Sequence, residues 1–199
     1  MAEDKAKYTD KQIKIIESVR SIICSKGIEK LTIHEIAKDL GVTDGALYRH
    51  FKSKKEIISL LIEDIERTLL NTIRDAASKT SDPVNKLENI LASHLSYAEQ
   101  RKGVSFIVIN ETLNLQDKIL KRKMLKVIHK YLKEIKSILL EGVEAKKIRK
   151  NVDFVSASIA FLGMVQSMVT LWVLSGFRYS LKKHCLGLFD IYKKGVMVR

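Results

Sequence analysis

The sequence predicts an all-α protein, on three observations. One proline and nine glycines in 199 residues leave few helix breakers. Helix-start signals recur ahead of apolar residues spaced three and four apart. No stretch alternates polar and apolar residues for long enough to demand a strand. Taken in order, Thr9 with Gln12 forms a capping-box pattern before Ile13, Ile16, Arg20 and Ile23, a face that ends at Gly27. Thr32 with Glu35 is a second box, opening a short helix that turns Ile36 and Leu40 inward and stops at Gly41. Ser53 with Glu56 is a third, ahead of Ile57, Leu60, Leu61, Ile65, Leu69 and Ile73. Asp82-Pro83 puts a cap residue before a proline whose missing N–H costs nothing at the first helical position. Helices are further expected near 83–100, 104–113, 116–145, 153–175 and 180–197, broken at Gly103, at Asn114-Leu115-Gln116, at 146–151 and at Gly176.

Composition narrows the class. An apolar fraction of 46% is that of an ordinary globular chain, so whole-chain disorder is excluded. Two cysteines, Cys24 and Cys185, cannot build a disulfide framework or a zinc site and suit a reducing cytoplasm. The opening Met-Ala-Glu-Asp-Lys is charged, so no secretion leader is expected. A net charge of +13 invites a polyanion, either nucleic acid or an acidic membrane surface. Bulk charge does not choose between them, since residues 1–55 and 56–199 are about equally basic per residue. The densest run is 118–136, where Lys118, Arg122, Lys126, Lys130 and Lys133 share a stripe with Glu134 as the sole acid of the segment. That stripe reads as a solvated cationic face or as a surface for an acidic ligand or phospholipid. No phosphate-binding glycine loop, nucleophile elbow or metal-spaced histidine or cysteine pair occurs, so no enzyme, cofactor or metal is expected.

Chemistry concentrates between Thr32 and Lys54. A helix-turn-helix needs a small residue where two helices cross, a tight turn, and apolar residues locking the second helix down. Ala37 supplies the first, Gly41 the turn, and Ile36, Leu40, Val42 and Leu47 the lock. Thr43 caps the second helix, so its N-terminal donors face outward toward a major groove or a phosphate. Arg49 can make paired bonds to guanine. Gly45 permits close backbone approach, and Tyr48, His50, Lys52 and Lys54 are placed for phosphates.

The run Leu-Thr-Ile-His-Glu-Ile-Ala through Gly-Val-Thr-Asp-Gly-Ala-Leu-Tyr-Arg-His-Phe-Lys-Ser-Lys-Lys-Glu resembles the DNA-binding domain of the TetR (tetracycline-repressor) family. The likeness covers about residues 9–60. It implies an N-terminal three-helix helix-turn-helix domain, residues 1–55, followed by a larger helical effector-binding and dimerisation domain, 56–199. By the same resemblance phosphate contacts fall on Thr32, Tyr48, His50 and Lys54. Base-reading positions fall on His34, Thr43, Asp44, Gly45 and Arg49. Asp44 departs from the small or polar residue frequent at its position, so it either accepts from cytosine or lowers affinity.

For the rest of the chain the resemblance implies a homodimer through helices 153–175 and 180–197, two reading heads on a palindromic operator of double-stranded DNA, and a small-molecule effector. A repressor released by an apolar or amphipathic ligand is expected. Candidate liners of its pocket are Tyr97, Phe106, Asn110, Tyr131, Phe161, Met164, Met168 and Trp172. Two rival readings remain: a basic DNA-coating protein without an effector, and a membrane-anchored protein. The second rests on 154–175, which carries no charge over 22 residues. Scattered Ser156, Ser158, Gln166, Ser167 and Thr170, with Gly163 among them, favour a buried or subunit-interface helix instead.

Overall fold

The computed structural model describes residues 9–198, and the N-terminal run read for its lack of a leader lies outside them. Nine α-helices occur among the described residues: α1 (Asp10–Lys26), α2 (Ile33–Leu40), α3 (Asp44–Tyr48), α4 (Lys54–Ala77), α5 (Pro83–Gln100), α6 (Val104–Asn114), α7 (Lys118–Glu144), α8 (Phe154–Leu174) and α9 (Cys185–Val196). No strand forms among them. A single antiparallel bridge, Ile148 to Met197, ties the end of α9 back to the α7–α8 loop.

Local chemistry explains most of the boundaries. Thr9 and Gln12 make the full capping box. Asp82, Asp117 and Asp153 each accept two backbone N–H groups at the starts of α5, α7 and α8. Gly41 ends α2 at φ 64°, a left-handed turn that a β-carbon would strain. Its residues then swing α3 across α2, where Ile36, Ala37 and Leu47 are buried at the crossing.

Four local expectations change. Val42 is 41% exposed and so does not lock α3, whereas half-buried Leu40 packs against the core, in which Phe51 is also buried. Ile13 is exposed, because α1 turns Ile15, Ile16, Val19, Ile22 and Ile23 inward. Ser53 makes no cap bond; the Glu56 carboxylate instead accepts from the Lys52 N–H at 2.8 Å. The helix expected over 180–197 is broken, with a 3-10 turn at Leu181–His184 before α9.

α4 positions everything else. Its 24 residues span about 36 Å. The first turns bury Ile57, Ile58 and Leu61 beneath α1, and the later ones bury Leu69, Leu70 and Ile73 among the C-terminal helices. One helix is thus a member of two packed groups. An ion cluster fastens α1 to it: the buried Asp64 carboxylate pairs with Arg20 of α1 and with Arg67. The cationic stripe of α7 is partly consumed in the same way, since Lys130 pairs with Glu66 and neighbouring Lys123 with Glu63, both on α4. Lys118, Arg122, Lys126 and Lys133 stay exposed.

α8 is long and apolar enough to cross a membrane by length and composition. One side, with Phe161, Val165, Met168, Val169 and Trp172, is buried in the protein. The other side is not. Val155, Ile159, Leu171 and Leu174 are exposed, and with Gly163 and Ser167 they form one stripe along the helix.

Candidate functional site

Two sites emerge, one at the N-terminal end of α4 and one beside its middle turns. At the N-terminal end α3 is short, capped by the Thr43 hydroxyl, which accepts from the Ala46 N–H. Leu47 anchors its inner side. Tyr48 is 55% exposed, and Thr43, Gly45, Arg49 and His50 are exposed as well. A β-carbon at Gly45 would meet nothing within 4 Å, so the fold does not require a glycine there and the surface is open to close approach. Arg49 makes no hydrogen bond or ion pair among the described residues, leaving its fork of donors free for an external acceptor.

The remaining residues expected at this interface differ in how free they are. Thr32 spends its hydroxyl on capping α2, accepting from the Glu35 N–H, while the Glu35 carboxylate goes to Lys26 instead of completing the box. His34 Nδ1 lies 3.1 Å from Asp44 Oδ2, so an acid that faces a polyanion is partly answered by a neighbouring imidazole. His50 Nε2 lies 2.9 Å from Lys11 Nζ. The Lys52 side chain is exposed. Lys54 is turned inward: its ammonium donates to the Ile28 carbonyl at 3.0 Å and pairs with Glu111 of α6 at 2.8 Å. The phosphate contact expected of Lys54 competes with a carboxylate 57 residues further on.

The second site is a cavity of about 60 Å³ between α4, α5, α6, α7 and α8. Its walls are mainly apolar, with Ile65 and Leu69 of α4, Met124 and Val127 of α7, and Val165 and Val169 of α8. Small-ligand sites typically hold roughly 300–1,000 Å³, so a ligand must enter by moving side chains apart. Half-buried Phe106, Ile109, Ile128 and Leu162 stand in the lining as the ones free to yield.

A few polar groups converge on it. His94 Nδ1 and the Tyr131 hydroxyl are 3.0 Å apart and both buried. The Tyr97 hydroxyl meets Thr68 Oγ1 of α4, also at 3.0 Å. The Ser105 hydroxyl is buried without a partner among the described residues. Burial pushes the Tyr131 phenol above its ordinary range and the His94 imidazole from 6.5 down to about 4.

That depression has a measurable consequence. Between pH 6.5 and about 4 the unfolded chain binds a proton at His94 that the folded chain refuses. Stability therefore falls as pH drops through that window, by about 3 kcal/mol across it. Urea denaturation at pH 7 and pH 4.5 is expected to show this loss in the wild type, and a smaller one in His94→Phe.

Of the residues expected around an effector, Tyr97, Phe106 and Tyr131 line the cavity. The others lie elsewhere. Asn110 is exposed, its amide donating to the Phe106 carbonyl. Phe161 packs edge-on against Tyr192 of α9, and Trp172 against Phe177. Met168 faces a separate cleft toward α9, with Tyr179 and Leu188, and half-buried Met164 is not in the lining. The reason is helical phase. α8 presents Leu162, Val165, Gln166 and Val169 to the cavity, about one position away from the row at 161, 164, 168 and 172. His94, Ser105 and Gln166 were not anticipated; His94 could have been found from its place three residues before Tyr97, on the same face of α5.

Comparison with known proteins bears on both ends. Residues 15–61 match the family model described as "Bacterial regulatory proteins, tetR family", and residues 63–194 match "YsiA-like protein, C-terminal region". The chain is similar to the fatty acid metabolism regulator protein of Bacillus subtilis (strain 168), at 24% identity over 196 residues, 98% of each chain. It is also similar to the nucleoid occlusion factor SlmA of Vibrio cholerae, at 27% identity over 178 residues, 87% of this chain and 89% of that one. In structure it resembles the transcriptional regulator FadR from Bacillus subtilis in complex with stearoyl-CoA, with a TM-score of 0.78 and 24% identity over 92% of this chain and 98% of that one.

Proposed function

For a chain that belongs to the tetR family of ligand-responsive, DNA-binding transcriptional regulators, we propose a cytoplasmic homodimeric repressor that reads a palindromic operator through α3 and releases it on binding an acyl thioester. The observation that carries this reading is the span of α4. Its first residue, Lys54, follows the reading helix in the chain and pairs with Glu111 of α6, and Ile65 and Leu69, further along, line the apolar cavity. A ligand that widens a cavity of about 60 Å³ must displace the helices around it. α4 carries that displacement to the reading end, so effector and operator are bound by the protein at each other's expense.

An acyl chain suits the lining, which is apolar apart from the His94–Tyr131 pair and a few hydroxyls. The regulator of fatty acid metabolism and the stearoyl-CoA complex among the similar proteins support the same ligand class. The exposed stripe of α8, continued by Leu186 and Ile191 of α9, supplies an apolar face for a second copy. Two copies are needed on physical grounds, because one five-residue helix makes too few base contacts for useful discrimination. The N-terminal unit comprises 1–55 and the effector and dimerisation unit 56–199, with α4 shared.

At the interface Arg49 reads a base, while Tyr48, His50 and Lys52 bind phosphates. Arg49→Ala is expected to weaken operator binding by about 5- to 150-fold, or roughly 1–3 kcal/mol, with little change on scrambled DNA. Lys52→Ala weakens both alike. Fluorescence anisotropy at fixed salt checks this, and equal losses on both sequences for Arg49→Ala remove its base-reading role. In the same assay stearoyl-CoA is expected to release the operator. Unchanged operator affinity at saturating ligand rejects the acyl-thioester effector.

A further inference from the structure

We infer that the cleft between α1 and the α5–α6 turn is an anion site that takes the phosphate-bearing head of the effector, with Arg101 and Lys102 as its principal cations. The inference rests on the acyl-thioester reading above and adds where the polar end of that ligand is held. The cleft has a volume of about 480 Å³ and is lined by Arg20, Arg101 and Lys102 among hydroxyl, thiol and amide side chains, with no carboxylate in its walls.

Arg101 is the informative residue. Its guanidinium carbon lies 4.2 Å from the centroid of the Tyr97 ring, over the aromatic face. Its Nε is buried and meets no acceptor, and it forms no ion pair among the described residues. Buried guanidinium donors are ordinarily satisfied, because each one left unmade carries its full desolvation penalty. The buried acid of this region, Asp64, is already bonded to Arg20 and Arg67. Arg20 records the imbalance. Burial first, and then the charge of Arg101, push its guanidinium below the usual arginine range, against the opposing pull of Tyr97 and Glu17. A planar cation without an ion-pair partner, in a concavity without acids, fits a phosphate fork.

The cleft is open to solvent, so a head larger than a carboxylate can be seated there. It also adjoins the apolar cavity. Tyr97, on which Arg101 rests, and Gly103, next to Lys102, both line that cavity, so the turn is a wall common to the two spaces. An amphipathic ligand can then place its chain in one and its phosphates in the other. Its head would touch α1 directly, because Cys24 of α1 donates its thiol hydrogen to the Arg101 carbonyl at 3.9 Å across the same cleft. Occupancy would push on the helix that braces the reading head.

The test is calorimetric titration of the full-length protein with stearoyl-CoA, with stearate and with coenzyme A alone. It uses the wild type, Lys102→Gln, whose exposed side chain carries little of the fold, and Arg101→Gln/Lys102→Gln. The double variant is expected to lose about tenfold or more in stearoyl-CoA affinity while stearate stays within about twofold, the loss being the charge-assisted bonds to phosphate. Lys102→Gln alone shows a smaller loss of the same selectivity. Equal losses for both ligands make Arg101 a support for Tyr97 and overturn the inference. Unchanged affinity for both places the head elsewhere and overturns it while leaving the acyl-thioester effector standing. A wild type that binds none of the three removes effector and head site together.

Discussion

Replacing Gly163 by arginine is expected to leave a folded monomer that binds operator DNA at least about a hundredfold more weakly than the wild type. Gly163 stands in the middle of the exposed stripe Val155, Ile159, Gly163, Ser167, Leu171 and Leu174 on α8. A β-carbon there would meet nothing within 4 Å in the same protomer, and the backbone is ordinary helix, so the fold accepts a side chain. The proposed partner does not. In a two-fold interface a residue near the axis meets its own copy, and small residues at such a crossing let two helices approach closely. Two arginines then bring bulk and like charge to the same place. The DNA consequence follows from valence: operator-specific complexes lie near 10⁻⁸–10⁻¹¹ M and non-specific ones near 10⁻⁴–10⁻⁶ M, and a single reading head falls toward the second range. Sedimentation velocity and anisotropy read both effects. A Gly163→Arg protein that still sediments as a dimer moves the interface away from α8.

Features set by near partners are legible in the sequence, and those set by distant partners are not. The helix starts at Thr9, Thr32 and Asp82 and the stop at Gly41 are set by bonds within three or four residues, so spacing alone predicts them. The failures have distant causes. Leu181 begins a 3-10 turn because the Glu99 carboxylate, from α5, accepts from both its N–H and the Ser180 hydroxyl, which fixes the chain before the helix can start. Lys54 looks like a free cation until Glu111 is folded against it. Two neighbouring rows of α8 are both apolar, and only the packing against α5 and α7 selects which of them faces the cavity. At the DNA end the residues are local to one motif, so their exposure could be read early. At the effector end the lining comes from five helices, and only Tyr97, Phe106 and Tyr131 were recoverable from residue type.

The second large effect concerns how the reading head is held. Asp64→Ala is expected to lower stability by about 3–5 kcal/mol, because it strands guanidinium groups that were folded around one carboxylate. Asp64 is 3% exposed, and it is paired with Arg20 from α1 and Arg67 from its own helix. Removing it leaves Arg20 partly buried beside Arg101 without its counter-ion, and takes from Arg67 its bond to the same carboxylate. For a chain of this size the melting temperature is expected to fall by roughly 6–20 °C, at about 2–4 °C per kcal/mol. The penalty belongs to the stranded charge more than to any net worth of the pair, and a paired replacement separates the two. Arg20→Met with Asp64→Leu removes both charges and keeps the volume, and it is expected to recover most of the lost stability. It is not expected to recover regulation. Arg20 and Asp64 join α1 to the helix that lines the effector cavity, and an apolar contact lacks the fixed direction of a bonded ion pair. Thermal melts of the two variants should therefore diverge strongly while both respond less than the wild type when stearoyl-CoA is added to the operator complex. A double variant as unstable as Asp64→Ala shows instead that the junction needs the charges themselves.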